Sequence, residues 1–145
     1  MRATAPSQGI VIACDFGMRE IGLAVGDLAT EDIDPAAVVR AKKGRPVWSG
    51  MDRMHRLWQP LMWVVGLPLH MDGRPSWMSR RAENFASTLR KRYGLPVEMQ
   101  DERLSTQSVL DMGVRAPSEV HSVSAAVILA DWFRQRARSG GSKGE

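Results

Sequence analysis

Residues 10–27 read IVIACDFGMREIGLAVGD, and this stretch decides the fold. Ile10 to Cys14 is a short apolar run rich in β-branched residues, the pattern of a strand covered on both faces. The run ends at Asp15, so a carboxylate stands where the strand stops. Phe16-Gly17-Met18-Arg19-Glu20 turns the chain, and Ile21 to Val25 reads as a second strand, making the pair a hairpin. A third strand is expected near Ala37 to Arg40.

Further along, Met51, Met54, Leu57 and Trp58 recur at helical spacing over about Gly50 to Gln59, and Pro60 stops the helix. Met62 to Leu67 is again a buried-strand run, closed by Pro68 ahead of the polar loop His70 to Pro75. Strand, helix and strand in this order call for a parallel crossover. Met78, Ala82, Phe85, Ala86, Leu89 and Tyr93 define the clearest helix, which Gly94 and Pro96 terminate. Val97 to Gln100 is a short strand that also ends in acids, Asp101 and Glu102. A short helix is expected from Ser105 to Gly113. A last helix, capped by Ser118, is expected to run to about Arg136 with His121, Ala125, Ile128 and Trp132 on one stripe. The chain thus divides into a disordered start (1–8), one domain (9–137) and a disordered, glycine- and serine-rich tail (138–145).

A chain of 145 residues can bury enough surface for a core without disulfides or structural metal. The only cysteine, Cys14, has no intramolecular partner and sits in an apolar run, which points to a reduced, cytoplasmic protein. The opening MRATAPSQG lacks a signal peptide's apolar stretch, and no apolar run approaches the ~20 residues of a membrane span. The net charge of +4 fits an anionic partner. Arg40, Lys42, Lys43 and Arg45 form one basic cluster, and Arg74, Arg80, Arg81, Arg90, Lys91 and Arg92 a second. On charge alone these are as well explained as solvated faces. Trp48 and Trp77 adjoin the two clusters, where an indole can stack on a base.

Acids at two strand ends, with a further polar residue opening a helix, make the donor pattern of a divalent ion such as Mg²⁺ or Mn²⁺. A buried acidic cluster is costly unless a cation compensates it. His55 and His70 read as surface residues rather than ligands.

The segments Asp15-Phe16-Gly17, Ile21 to Asp27, Val65 to Gly73, Asp101 to Thr106 and Ser124 to Leu129 together resemble the YqgF/RuvX family. That family is known as Holliday junction resolvases and as the nuclease maturing the 5′ end of the 16S rRNA precursor. The resemblance spans about residues 9–137. It implies an RNase H-like α/β fold, a central mixed five-stranded sheet flanked by helices, and metal-dependent phosphodiester hydrolysis. The family's first acid falls on Asp15, and its second acidic element falls on Asp101 and Glu102. The third acid, an aspartate at the start of the last helix, is here His121.

The resemblance makes Asp15, Asp101, Glu102 and His121 the candidate catalytic residues, with Asp15, Glu102 and His121 as metal ligands. Strand alternation lets one of Asp101 and Glu102 face the site, and Glu102 is preferred. Imidazole is a softer ligand than carboxylate, which favours Mn²⁺ over Mg²⁺. The helix N-terminus is expected to keep the ring neutral. Arg103, Arg74, Arg80, Arg81, Lys42 and Lys43 are the candidate phosphate contacts.

Three functions follow. The first is an endonuclease maturing the 5′ end of structured rRNA precursor, for which a monomer suffices. The second is a resolvase of four-way, branched DNA, which needs a homodimer to place two active sites. The third is a nucleic-acid binder that does not cut, because a histidine replaces the third acid.

Overall fold

The computed structural model describes residues 9–102 and 117–143. Along the chain come β1 (Ile10–Asp15), β2 (Glu20–Asp27), β3 (Ile33–Lys42), β4 (Arg45–Pro46), α1 (Trp48–Trp58), β5 (Met62–Pro68), α2 (Trp77–Tyr93), β6 (Val97–Glu102) and α3 (Pro117–Lys143). The strands form one mixed sheet in the order β4-β3-β2-β1-β5-β6. β1, β2 and β3 pair antiparallel, whereas β1–β5 and β5–β6 are parallel.

β1 lies near the middle of the sheet because Val11 to Cys14 have no polar side chain to offer water, and all four are fully buried. Its alternate residues supply two cores. Ile12 and Cys14 join Trp63, Val65, Phe85 and Leu89 beneath α1 and α2. Val11 and Ala13 join Val64, Ile128 and Leu129 beneath α3. The expected stripe on α3 is real, since Ala125, Ile128 and Trp132 are buried in this second core.

Five long strands match the expected sheet, and β4 is a sixth of only two residues. It arises because Lys43 and Gly44 both take positive φ (51° and 81°), the geometry of a tight hairpin turn, folding Arg45 and Pro46 back onto Lys42 and Ala41. β3 is longer than expected, starting at Ile33. A bulge between Leu23 and Ala24 admits Ala36 as an extra residue and accommodates Pro35, which lies where β4 does not reach.

α2 is closed at both ends: Ser76 and Ser79 form a reciprocal capping box, and Gly94 ends the helix at φ 65°. Ser118 falls inside α3, after Pro117, rather than capping it. α3 also continues to Lys143, past the expected end near Arg136, so the expected tail begins inside a helix. Extending a formed helix gains a hydrogen bond per residue, and this offsets the cost of about 1 kcal/mol for each of Gly140 and Gly141. Among the described residues no helix is long and apolar enough to cross a membrane. The helix expected over Ser105–Gly113 lies outside the described residues.

Candidate active site

The face of the sheet beneath α3 carries the acids. On β1, Val11 and Ala13 belong to the α3 core, so alternation places Asp15 on that face. Asp15 pairs with Gly22 across the hairpin, which puts Gly22 and Glu20 on the same face. On β6, Val97 faces the other core, so Gln100 is not aligned with it but with Glu102, toward α3.

Gly22 lets α3 approach. A Cβ there would lie 2.0 Å from the carbonyl oxygen of His121, so no other residue permits this contact. The close approach delivers His121 between two carboxylates. Its Nδ1 lies 3.6 Å from Asp15 Oδ2, and its Nε2 lies 3.6 Å from Glu20 Oε1. Both separations exceed a hydrogen bond, leaving Nδ1 buried without a hydrogen-bond partner among the described residues. The Asp15 carboxylate nevertheless raises the imidazole above its ordinary pKa, against the opposing effect of burial, and Glu20 adds in the same direction. The helix terminus is expected to disfavour imidazolium, and the shift runs in the opposite direction, because two adjacent carboxylates outweigh the partial charge of a helix terminus.

Glu102 differs from its neighbour on β6 in burial. Its side chain is buried, while Asp101 is exposed. Burial first, then the charges of Asp101 and Asp15, raise its pKa to about 7. Oε2 of Glu102 has no hydrogen-bond partner among the described residues. Glu102 pairs with Pro68 on β5, and its carbonyl accepts a hydrogen bond from Leu69 N (3.1 Å), tying the Leu69–Pro75 loop to the site. Asp15 and Glu102 stand on strands that flank β5, roughly 10 Å apart in the sheet.

The orphaned carboxylate oxygen of Glu102 and the orphaned imidazole nitrogen of His121 are donor types that hard and borderline divalent ions take. Among the described residues no three His, Cys, Asp or Glu side chains converge into a ready cage.

The basic candidates are spread wider. Arg74 is exposed and paired with Asp72 at 2.6 Å. Arg80 and Arg81 lie on the exposed side of α2, and Arg81 sits 4.6 Å over the Trp77 ring. Lys42 and Lys43 are exposed at the β3–β4 turn. Arg103 lies outside the described residues. His55 stacks on Tyr93 at 4.5 Å, and His70 is exposed. Sequence reasoning missed Glu20, although the hairpin signals it: a residue two before the partner of Asp15 must share its face.

A mixed sheet whose central strand and an outer parallel strand both end in acids, under a C-terminal helix, defines the RNase H-like class of nucleic-acid enzymes. The chain belongs to the RuvX family: the family model described as RuvX, Holliday junction resolvase, matches residues 9–135. A protein of Azotobacter vinelandii named "Putative pre-16S rRNA nuclease" is 41% identical over 136 residues, covering 88% of this chain and 94% of its own. A protein of the same name from Yersinia pestis is 40% identical over 134 residues, covering 88% and 96%. Among solved structures, Thermus thermophilus RuvC in complex with a Holliday junction substrate superposes with a TM-score of 0.52 at 15% identity, covering 88% of this chain and 96% of that one. That likeness concerns the fold alone.

Proposed function

We propose that this chain is a divalent-metal-dependent nuclease that trims the 5′ end of the 16S rRNA precursor. The observation that carries the chemistry is Glu102: a buried carboxyl with an orphaned oxygen, on the same face as Asp15, is unfavourable unless a cation balances it. The relatives' name supplies the substrate class. Asp15, Glu102 and His121 would hold the metal, and Mn²⁺ suits an imidazole ligand better than Mg²⁺ does. A bound divalent ion supplies charge stabilisation to a phosphoryl centre and lowers the pKa of its water.

This chain's own residues prepare the site. Asp15 projects from the end of a strand whose residues 11–14 are fully buried, so packing on both faces holds its backbone in place. Gly22 fixes the height of His121 over the sheet. The Leu69–Pro75 loop, anchored at Glu102, borders the strand ends where a phosphate would lie.

The family's description favours a second reading, resolution of four-way DNA junctions by a homodimer. Cleavage of labelled precursor-end RNA and of a four-way junction, side by side in Mg²⁺, Mn²⁺ and EDTA, with wild type and Asp15→Asn, decides between them. Metal-dependent cutting lost in Asp15→Asn establishes the nuclease, and the faster substrate chooses the role. Binding of both nucleic acids without cutting in either metal establishes a binder that His121 has made silent.

A further inference from the structure

The turn from Asp15 to Glu20 joins β1 to β2, and the acids at its two ends both lie beside one imidazole. His121 Nδ1 is 3.6 Å from Asp15 Oδ2, and Nε2 is 3.6 Å from Glu20 Oε1. Between the acids, a Cβ at Gly17 would lie 3.6 Å from His121 Cε1, the ring carbon that separates the two nitrogens. The nitrogen-bearing edge of the ring therefore rests on this turn, with a carboxylate at each corner. The two nitrogens are not equivalent. Nδ1 is buried without a hydrogen-bond partner among the described residues and faces Asp15, the acid assigned to the ion. Nε2 faces Glu20, an acid to which the family resemblance gives no role. Among the described residues Glu20 forms no ion pair with Arg or Lys, although Arg40 is its register partner on β3.

We propose that Glu20 is a positioning residue for His121: its carboxylate accepts the Nε2–H, which fixes the ring tautomer and leaves the Nδ1 lone pair facing the ion held at Asp15. The inference rests on the metal-dependent reading above and adds which ring nitrogen is the donor and what keeps it so. A neutral imidazole carries one proton, and it can bind a metal only through the nitrogen that lacks it. A carboxylate on the other nitrogen selects that tautomer, orients the ring and makes it a more basic ligand. Nε2 stands about 0.5 Å outside hydrogen-bond range of Glu20, a gap that a small side-chain rotation closes.

The test reads metal binding and the ring itself rather than cleavage. Mn²⁺ affinity of the full chain is measured from the electron paramagnetic resonance signal of the free ion, for wild type, Asp15→Asn, Glu20→Met and Glu20→Gln. Glu20→Met is close in size but has no acceptor oxygen, and it should bind Mn²⁺ about tenfold more weakly, the loss typical of an outer partner of a ligating histidine. Glu20→Gln keeps an oxygen that accepts the same N–H, and it should lose only about threefold. A second measurement needs no change at Glu20. Wild type with nitrogen-labelled histidine is loaded with diamagnetic Zn²⁺, and the His121 ring is identified among the three histidines by its absence in His121→Asn. Its proton should reside on Nε2. A proton on Nδ1, or equal Mn²⁺ affinity in Glu20→Met and wild type, overturns the positioning role. Equal losses in Glu20→Met and Glu20→Gln overturn it as well and leave Glu20 as no more than a charge near the ion. Mn²⁺ binding that Asp15→Asn abolishes and Glu20→Met leaves intact counts against this inference alone. A wild type that binds no Mn²⁺ overturns the metal-dependent reading, and the role of Glu20 falls with it.

Discussion

His121 Nδ1 faces Asp15 Oδ2 across 3.6 Å, with Glu20 at the same distance from the other ring nitrogen, so an imidazole stands between two carboxylates where the family's aspartate is expected. Without a metal, a protonated His121 is, among the described residues, the cation paired with Asp15. A divalent ion therefore competes with a proton on the ring.

His121→Asp removes that competitor and adds a carboxylate. We expect it to raise Mg²⁺-supported cleavage relative to Mn²⁺-supported cleavage by about tenfold, as a hard oxygen replaces nitrogen. Rates in each metal at fixed substrate check this, and an unchanged metal ratio refutes it.

Glu102 and His121 both make the metal-free protein less stable as pH rises. The folded pKa of Glu102 is about 7 against 4.5 unfolded, so the folded state holds the extra proton between those values. Ionising the buried acid then costs up to about 3 kcal/mol by pH 8. His121 has a raised pKa, so its contribution is complete below its unfolded value and fades as pH climbs through the folded one. Denaturant midpoints in EDTA should be higher at pH 5 than at pH 8, and Glu102→Gln should flatten much of that slope.

Gly22→Ala places a Cβ 2.0 Å from the His121 carbonyl oxygen, and both partners are backbone in regular elements. A loss of about 3 kcal/mol or more is expected as α3 is pushed off β2. Urea denaturation measures it, and a wild-type midpoint would mean that α3 is not pinned at this point.

Away from the site, Asp52 accepts a hydrogen bond from the Tyr93 hydroxyl (2.6 Å) and two from Arg92 (2.8 and 2.7 Å), linking α1 to α2. Those bonds, Arg92 first, hold the Asp52 carboxyl well below the usual carboxylate range. Its contribution is present above the unfolded pKa and disappears in strong acid. Tyr93→Phe should cost about 1 kcal/mol at neutral pH, read as a thermal shift of a few degrees.

Much of the architecture was legible because single residues carried the signal. The apolar run Ile10–Cys14, the stripe Ala82–Phe85–Ala86–Leu89 and the stop at Gly94 each constrain one element by local chemistry alone, and each occurs as expected. β4 was not legible, since two residues have no period, and their pairing depends on the left-handed turn at Lys43 and Gly44. The end of α3 was missed because glycines at 140 and 141 weaken a helix without forbidding it.

By itself, the order of residues determined which groups end the strands, and its resemblance to the family made Asp15 and one acid of the 101–102 pair candidates for one site and put His121 where an aspartate is expected. Only the tertiary structure decided which acid is buried, that Glu20 joins the cluster, and that the His121 ring gains rather than loses affinity for a proton. The reason is range: periodicity and capping act within a few residues, whereas burial and charge coupling are set by groups that the chain brings together from far apart.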